Sequence, residues 1–386
     1  MVEWKTIDDI SKNVFAGGTP STKHEEYYDG DIPWIRSGEI DFNTITKAER
    51  NITKEGYNNS SAKLIRSGSV VMAMTGATVA KSAIVEFETS ANQSVCAIET
   101  DESVANYKYV YFYLSKDYFK IKSSAQGALT SLNLSMIKQI EIPIPSLSEQ
   151  ERIVGILDTF TASIDNLKAQ IAQRRKQYEY YRDQLLDLDG KPGVEMKTLE
   201  SVVSKDCSLS YGIVQPGDDV PNGVSVVRPV DLISMFVERE GLKKTTKTIS
   251  DSYKRTILKG NEILFCVRGT TGIMSLASEE LKGCNVTRGI VPISFDNNVT
   301  KMFVYYQLKS FRLQRVIGDK TNGTALRQIN IKDLRLLSLL LPSLQEQRRI
   351  VSILDTFEAS ISNLESQLKQ RGKQYEYYRN KLLTFE

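Results

Sequence analysis

Residues 146–188 read SLSEQERIVGILDTFTASIDNLKAQIAQRRKQYEYYRDQLLDL, and residues 343–385 read SLQEQRRIVSILDTFEASISNLESQLKQRGKQYEYYRNKLLTF. The two align without a gap at an offset of 197, with 29 of 43 positions identical. A repeat this long makes the chain two copies of one plan, each a globular unit followed by a long helix. In the first copy Ile153, Leu157, Phe160, Ile164, Leu167, Ile171, Tyr178, Tyr181, Leu185 and Leu188 recur in steps of four and three. Ile350, Leu354, Phe357, Ile361, Leu364, Leu368, Tyr375, Tyr378, Leu382 and Phe385 do the same in the second. That pattern predicts a coiled-coil seam over five heptads, and two such seams most simply bury each other within one chain. One core slot in each is an arginine, Arg174 or Arg371, which either sets the register or snorkels its stem to the seam edge. Pro145 and Pro342 close the preceding segments, and Ser146 with Glu149, like Ser343 with Glu346, has the spacing of a capping box. At 1.5 Å per residue each helix is roughly 60 Å long. The repeated QYEYYR is apolar and hydrogen-bonding together, which suits a partner interface and ordinary helix packing equally.

The 386 residues allow two or three domains, and a 41% hydrophobic content is enough to fill their cores. No apolar run approaches the ~20 residues of a membrane span. The opening MVEWKTIDDI lacks a basic-then-apolar leader, so a cytoplasmic protein is expected. Cys96, Cys207, Cys266 and Cys284 are scattered, and His24, the only histidine, sits in a polar run. Neither a zinc site nor a disulfide framework is expected from these. The net charge of +3 is unevenly spread. Residues 1–145 hold 15 Lys and Arg against 18 Asp and Glu, whereas residues 190–342 hold 22 against 15. Only the second globular stretch has the balance of a polyanion binder.

Between the helices the two halves share an order of elements. IPWIRSGEID (32–41) matches VSVVRPVDLI (224–233), setting Arg36 over Arg228. LIRSGSVVMAMTGAT (64–78) matches ILKGNEILFCVRGTT (257–271), each predicted as a strand followed by a glycine turn. VCAIE (95–99) and IVPIS (290–294) read as buried strands, and 107–125 and 300–318 as amphipathic helices covering the sheet. Each unit is therefore predicted to be α+β. The helices are nearly identical while the globular units diverge, so the helices should meet equivalent surfaces and the units different ones.

Nucleotide-binding and hydrolytic signatures are missing. There is no G-x-x-x-x-G-K-[ST], no G-x-G-x-x-G and no G-x-S-x-G, and a histidine-dependent triad would have to use His24. There is also no Asn-Pro-Pro-aromatic tetrad of the kind that grips a flipped adenine, and no acidic nuclease cluster. The reading is a binding protein, not a self-sufficient enzyme.

GGTPS (17–21), YYDGDIPWIRSGEI (27–40), SGSVVMAMTGAT (67–78) and GALTSLNLSMIKQIEIPIPSLSEQ (127–150) occur in that order. The second half answers with YGIVQPG (211–217), GNEILFCVRGTTG (260–272) and NGTALRQINIKDL leading to LPSLQEQRRI. Taken together, and duplicated with two long helices, the set resembles the specificity subunits of type I restriction-modification systems over essentially the whole chain. The resemblance implies two pseudo-repeated α/β target recognition domains, at 1–145 and 189–342. Two long antiparallel coiled-coil helices, at 146–188 and 343–386, would join them. It implies double-stranded DNA as ligand, one half of a split site per domain, with two methyltransferase subunits docked on the helices and restriction subunits joining them. This chain would then be non-catalytic and bind no cofactor itself, with S-adenosylmethionine, ATP and magnesium on the partners. A two-headed protein-binding scaffold without DNA readout is the alternative.

Base edges are read by Arg, Lys, Asn and Gln, and phosphates by Lys, Ser, Thr and backbone N–H groups. The candidates are accordingly the loops after the matched strands. In the first unit these are Arg36, Ser37, Thr75, Gly76, Thr78, Lys81 and Gly127. In the second they are Arg228, Arg268, Gly269, Thr270, Thr271, Arg288, Gly323 and Arg327. The glycines would let backbone approach the ligand closely.

Overall fold

The computed structural model describes residues 2–125, 131–321 and 327–385. Backbone contacts divide the chain into unit 1, Met1–Lys168 with Ser366–Glu386, and unit 2, Ala169–Glu365. Each unit thus combines one globular stretch with the first part of the helix that follows it and the end of the other long helix.

Unit 1 contains β1 (Glu3–Thr6), β2 (Ser11–Ala16), β3 (Tyr28–Ile35), β4 (Thr44–Ile45), β5 (Arg50–Ile52), β6 (Ser69–Ala73), β7 (Ser82–Val85), β8 (Ser90–Ala91), β9 (Val95–Thr100) and β10 (Glu141–Ile144). They form a five-stranded sheet in the order β2-β9-β6-β7-β4, a three-stranded sheet β5-β3-β8 and the pair β1-β10. Strands β6 and β9 are buried along their whole length, which is why they read as mainly apolar runs, with Ser69 opening the first and Glu99 and Thr100 ending the second. Side chains alternate across the sheet. Val70 and Met72 of β6 pack with Tyr109, Val110 and Phe112, whereas Val71 and Ala73 pack with Ile35, Ile40 and Ile45 on the opposite face.

Unit 2 repeats the scheme with β11 (Glu195–Thr198), β12 (Val224–Val227), β13 (Lys244–Thr245), β14 (Ile263–Cys266), β15 (Met274–Leu276), β16 (Asn285–Val286), β17 (Ile290–Ile293) and β18 (Ser338–Leu341). The sheets are β15-β14-β17, β13-β12-β16 and β11-β18. Ile263 and Phe265 face Phe303, Val304 and Tyr306, while Leu264 and Cys266 face Val227 and Val286. β14 therefore has the place of β6, and β12 that of β3.

The covering helices differ from expectation. Each is two helices: α1 (Tyr107–Lys116) and α2 (Tyr118–Ser124) in unit 1, α4 (Asn298–Lys309) and α5 (Phe311–Asp319) in unit 2. At the second break Ser310 turns extended, with ψ at 150°, and its hydroxyl accepts from the Leu313 N–H to cap a new helix.

The repeated stretches form α3 (Leu147–Leu185) and α6 (Leu344–Leu382), 39 residues each. Ser146 and Ser343 accept from the N–H groups of Glu149 and Glu346 at 3.4 and 3.3 Å, as in a capping box. The glutamates do not return the bond. Arg152 and Arg349 lie three residues on and each donates two charge-assisted hydrogen bonds to the carboxylate, at 2.6–2.8 Å.

The helices pair antiparallel within each unit. In unit 1 Phe160 stacks on Tyr378 at 5.3 Å, and Leu383 is buried with Ile153 and Leu157. In unit 2 Phe357 stacks on Tyr181 at 5.5 Å, and Leu186 is buried with Ile350 and Leu354. Ile153, Leu157, Ile171, Tyr178, Ile350, Leu354 and Ile361 are buried; Phe160, Ile164, Leu167, Phe357, Leu364 and Tyr375 are half-buried. Tyr181 and Tyr378 remain 47% and 41% exposed although each lies against a phenylalanine. The arginine slots are filled by cation–π contacts: Arg371 sits 5.6 Å from the Phe160 ring and Arg174 sits 6.0 Å from the Phe357 ring. Among the described residues no helix is long and apolar enough to cross a membrane.

Candidate nucleic-acid interface

In unit 1 two turns meet at one end of the strands. β3 ends at Ile35, and Arg36 precedes a 3-10 turn at Ser37–Glu39. β6 ends at Ala73, and Thr75 precedes a 3-10 turn at Gly76–Thr78. The Thr78 hydroxyl donates to the Ser37 carbonyl at 2.8 Å, joining the turns. Gly76 has φ +80°, the left-handed region that suits glycine. Arg36, Ser37, Thr75, Gly76 and Thr78 are thus gathered in one place. Lys81 follows the second turn and reaches back to Asp41 at 2.5 Å.

The cations of this rim have carboxylate partners. Arg36 donates to Glu49 at 2.6 Å, and its Nε lies 3.8 Å from Glu39. Glu39 also accepts the backbone N–H of Arg36 at 2.8 Å and that of Glu49 at 3.0 Å. Glu39 therefore shapes the turn, and Glu49 holds the guanidinium.

Unit 2 builds the same rim. Arg228 follows β12, and its backbone N–H donates to Asp231 at 2.8 Å, as Arg36 does to Glu39. Its guanidinium makes a fork with the same carboxylate at 2.8 and 3.1 Å, which raises the arginine pKa above its ordinary value. The second turn follows β14, where Gly269 has φ +88° and Arg268 stands where unit 1 has Thr75. Arg268 pairs with Gln328 as an antiparallel bridge. The Gly269 N–H donates to the Arg327 carbonyl at 2.8 Å, and the Thr271 hydroxyl donates to the same oxygen at 3.1 Å.

Arg288 enters from a third segment. Thr287 N–H donates to the Val227 carbonyl at 2.9 Å, Arg288 N–H to Ile213 at 2.7 Å, and Val267 N–H to Gly289 at 2.8 Å. Gly289 lets these segments close up: a Cβ there would lie 2.5 Å from the Pro229 ring. Arg228, Arg268, Arg288 and Arg327 are therefore carried on neighbouring backbone segments, with Thr270 exposed between them. Gly127 and Gly323 lie outside the described residues.

The residues that sequence reasoning passed over are the carboxylates Glu39, Asp41, Glu49 and Asp231. A signal for two of them was present, since R-S-G-E (36–39) and R-P-V-D (228–231) both put an acid three residues after the arginine. Asp41 and Glu49 had no such spacing. Among the described residues no group of three or more His, Cys, Asp or Glu side chains could hold a metal.

The sequence pattern of the type I restriction modification DNA specificity domain matches residues 1–174 and 211–371. The chain belongs to that family. It is 28% identical over 306 residues to the type I restriction enzyme EcoBI specificity subunit of Escherichia coli, covering 72% of this chain and 64% of that one. It is 35% identical over 195 residues to the EcoR124I/EcoR124II specificity subunit of the same species, covering 48% of each. These matches span less than two thirds of either relative. A putative type I restriction enzyme specificity subunit of Haemophilus influenzae matches at 27% identity over 100% of this chain and 96% of its own length. The fold is shared with the type I restriction-modification system S subunit from M. genitalium, at TM-score 0.61 and 16% identity, covering 100% of this chain and 97% of that one.

Proposed function

We propose that this chain is the DNA-reading subunit of a type I restriction-modification assembly and recognises a split site, one half-site per unit. The observation that carries the reading is the duplicated rim. Two turns sit on matched strands in each unit, and their exposed side chains differ between the units. A shared framework with different readers is what two unlike half-sites require. Both rims present arginine, threonine and turn glycines, the groups that address base edges and phosphates.

The near-identical helices, with the same Phe–Tyr–Arg cluster in both units, support docking of two copies of one partner, here methyltransferase subunits. Restriction subunits would join that assembly. Adenine methylation and ATP-driven cleavage are assigned to those partners, together with S-adenosylmethionine, ATP and magnesium. A cytoplasmic location follows from DNA as the ligand.

The test is to co-express the chain with its methyltransferase partner and map methylated adenines across the host genome. One split motif with two unlike halves and a fixed unspecified gap is the expected outcome. Co-purification with no motif would leave the helices as a docking scaffold and remove the DNA readout.

A further inference from the structure

The two rims share a framework and differ in charge. In unit 1 Arg36 is neutralised by Glu49 and Glu39, and Lys81 by Asp41. The Asp41 and Glu49 side chains are 67% and 64% exposed, so a polyanion brought to this face meets them as directly as it meets the cations. Of the four candidate arginines on the unit 2 rim, Arg228 is paired, with Asp231. Arg268 is half-buried and Arg288 and Arg327 are exposed, and none of the three has an ion-pair partner among the described residues. Threonine at position 75 and arginine at position 268, in equivalent turns, state the difference in one residue. The stretches as a whole agree, at −3 for residues 1–145 and +7 for residues 190–342.

We infer that the units divide DNA binding unequally. Unit 2 supplies most of the phosphate neutralisation through Arg268, Arg288 and Arg327, and unit 1 engages its half-site on a face whose charges are already balanced. The inference rests on the DNA-binding reading above. Its physical basis is counterion release: each neutralised phosphate adds about 0.9 to the slope of log affinity against log salt. Three arginines account for a slope of about 2.7, or roughly a 40-fold loss between 50 and 200 mM salt. Unit 1 adds little to that slope, because freeing Arg36 or Lys81 for a phosphate leaves a carboxylate beside the same phosphate.

The experiment measures binding of the 386-residue chain to a labelled mixed-sequence DNA duplex over a salt series. Arg268→Gln/Arg288→Gln/Arg327→Gln is expected to flatten the slope by about 2–3. The corresponding Lys triple variant should keep the slope, because phosphate neutralisation needs the charge and not the guanidinium fork. Asp41→Asn/Glu49→Gln in unit 1 should steepen it by about 1, as freed Lys81 becomes available to phosphate while Arg36 keeps Glu39. A steep parental slope that the Gln triple variant leaves unchanged overturns the inference while the DNA-binding reading stands. So does a Lys triple variant as flat as the Gln one. A parental chain with no salt-dependent duplex binding overturns both.

Discussion

At the scale of single residues, the same side chain has two employments in this fold. Arg36 and Arg228 were legible as candidate readers because they follow matched strands. The structure shows that each is also part of its own turn, through a carboxylate three residues on that takes the backbone N–H. Asp231→Ala should therefore cost about 1–2 kcal/mol of stability, the range for a lost turn or helix cap, measured by urea denaturation. A change within error would mean that Pro229 alone holds the turn. Thr75→Arg tests the opposite case. It places an unpaired cation where unit 2 has Arg268, and the salt slope of duplex binding should steepen by about 1. Sequence alone shows which residues are cationic; it does not show which are already neutralised. Asp41 and Glu49 lie 40 and 13 residues away in sequence from the cations they bind, and only folding sets them together.

At the scale of elements, the strands and long helices were readable because their side-chain period is set by their backbone geometry. The buried runs of β6 and β14 and the 4–3 spacing of α3 and α6 needed no tertiary information. The break in each covering helix was not readable, because it depends on one residue leaving helical geometry. Those covering helices carry an unusual load of buried phenols. Tyr109, Tyr111 and Tyr113 in unit 1, and Tyr305 and Tyr306 in unit 2, are held above their ordinary pKa first by burial, with Asp355 adding to Tyr306 through a hydrogen bond. Because the folded values are raised, the protonated phenols contribute stability in full below the unfolded value of about 10. That stability is lost as pH climbs past it. The melting temperature should fall steeply above pH 10, with the share of tyrosinate absorbance that belongs to these buried phenols held back until the unfolding transition. Early titration of all tyrosines would show that these phenols are solvated.

At the scale of the whole molecule, each compact unit is completed by residues distant in sequence. Unit 1 needs Ser366–Glu386, whose Leu383 is fully buried against Ile153 and Leu157. A chain ending at residue 188 lacks that segment, yet it has the equivalent Tyr178 and Tyr181 on α3 and Leu186 just past its end. Residues 1–188 are therefore expected to form a homodimer in which each copy lends its helix end to the other, read by analytical ultracentrifugation. A stable monomer would show that the segment is dispensable. The sequence by itself determined that there are two copies of one α+β plan, that the helices pair, and which loops follow the matched strands. Each of these is written in local periodicity or in repetition. Only the tertiary structure decided where each unit ends, that arginine fills the helix seam by lying over an aromatic ring, and that Arg36 and Lys81 of one rim have carboxylate partners while three arginines of the other have none among the described residues. Those outcomes depend on contacts between residues far apart along the chain, which no local pattern records.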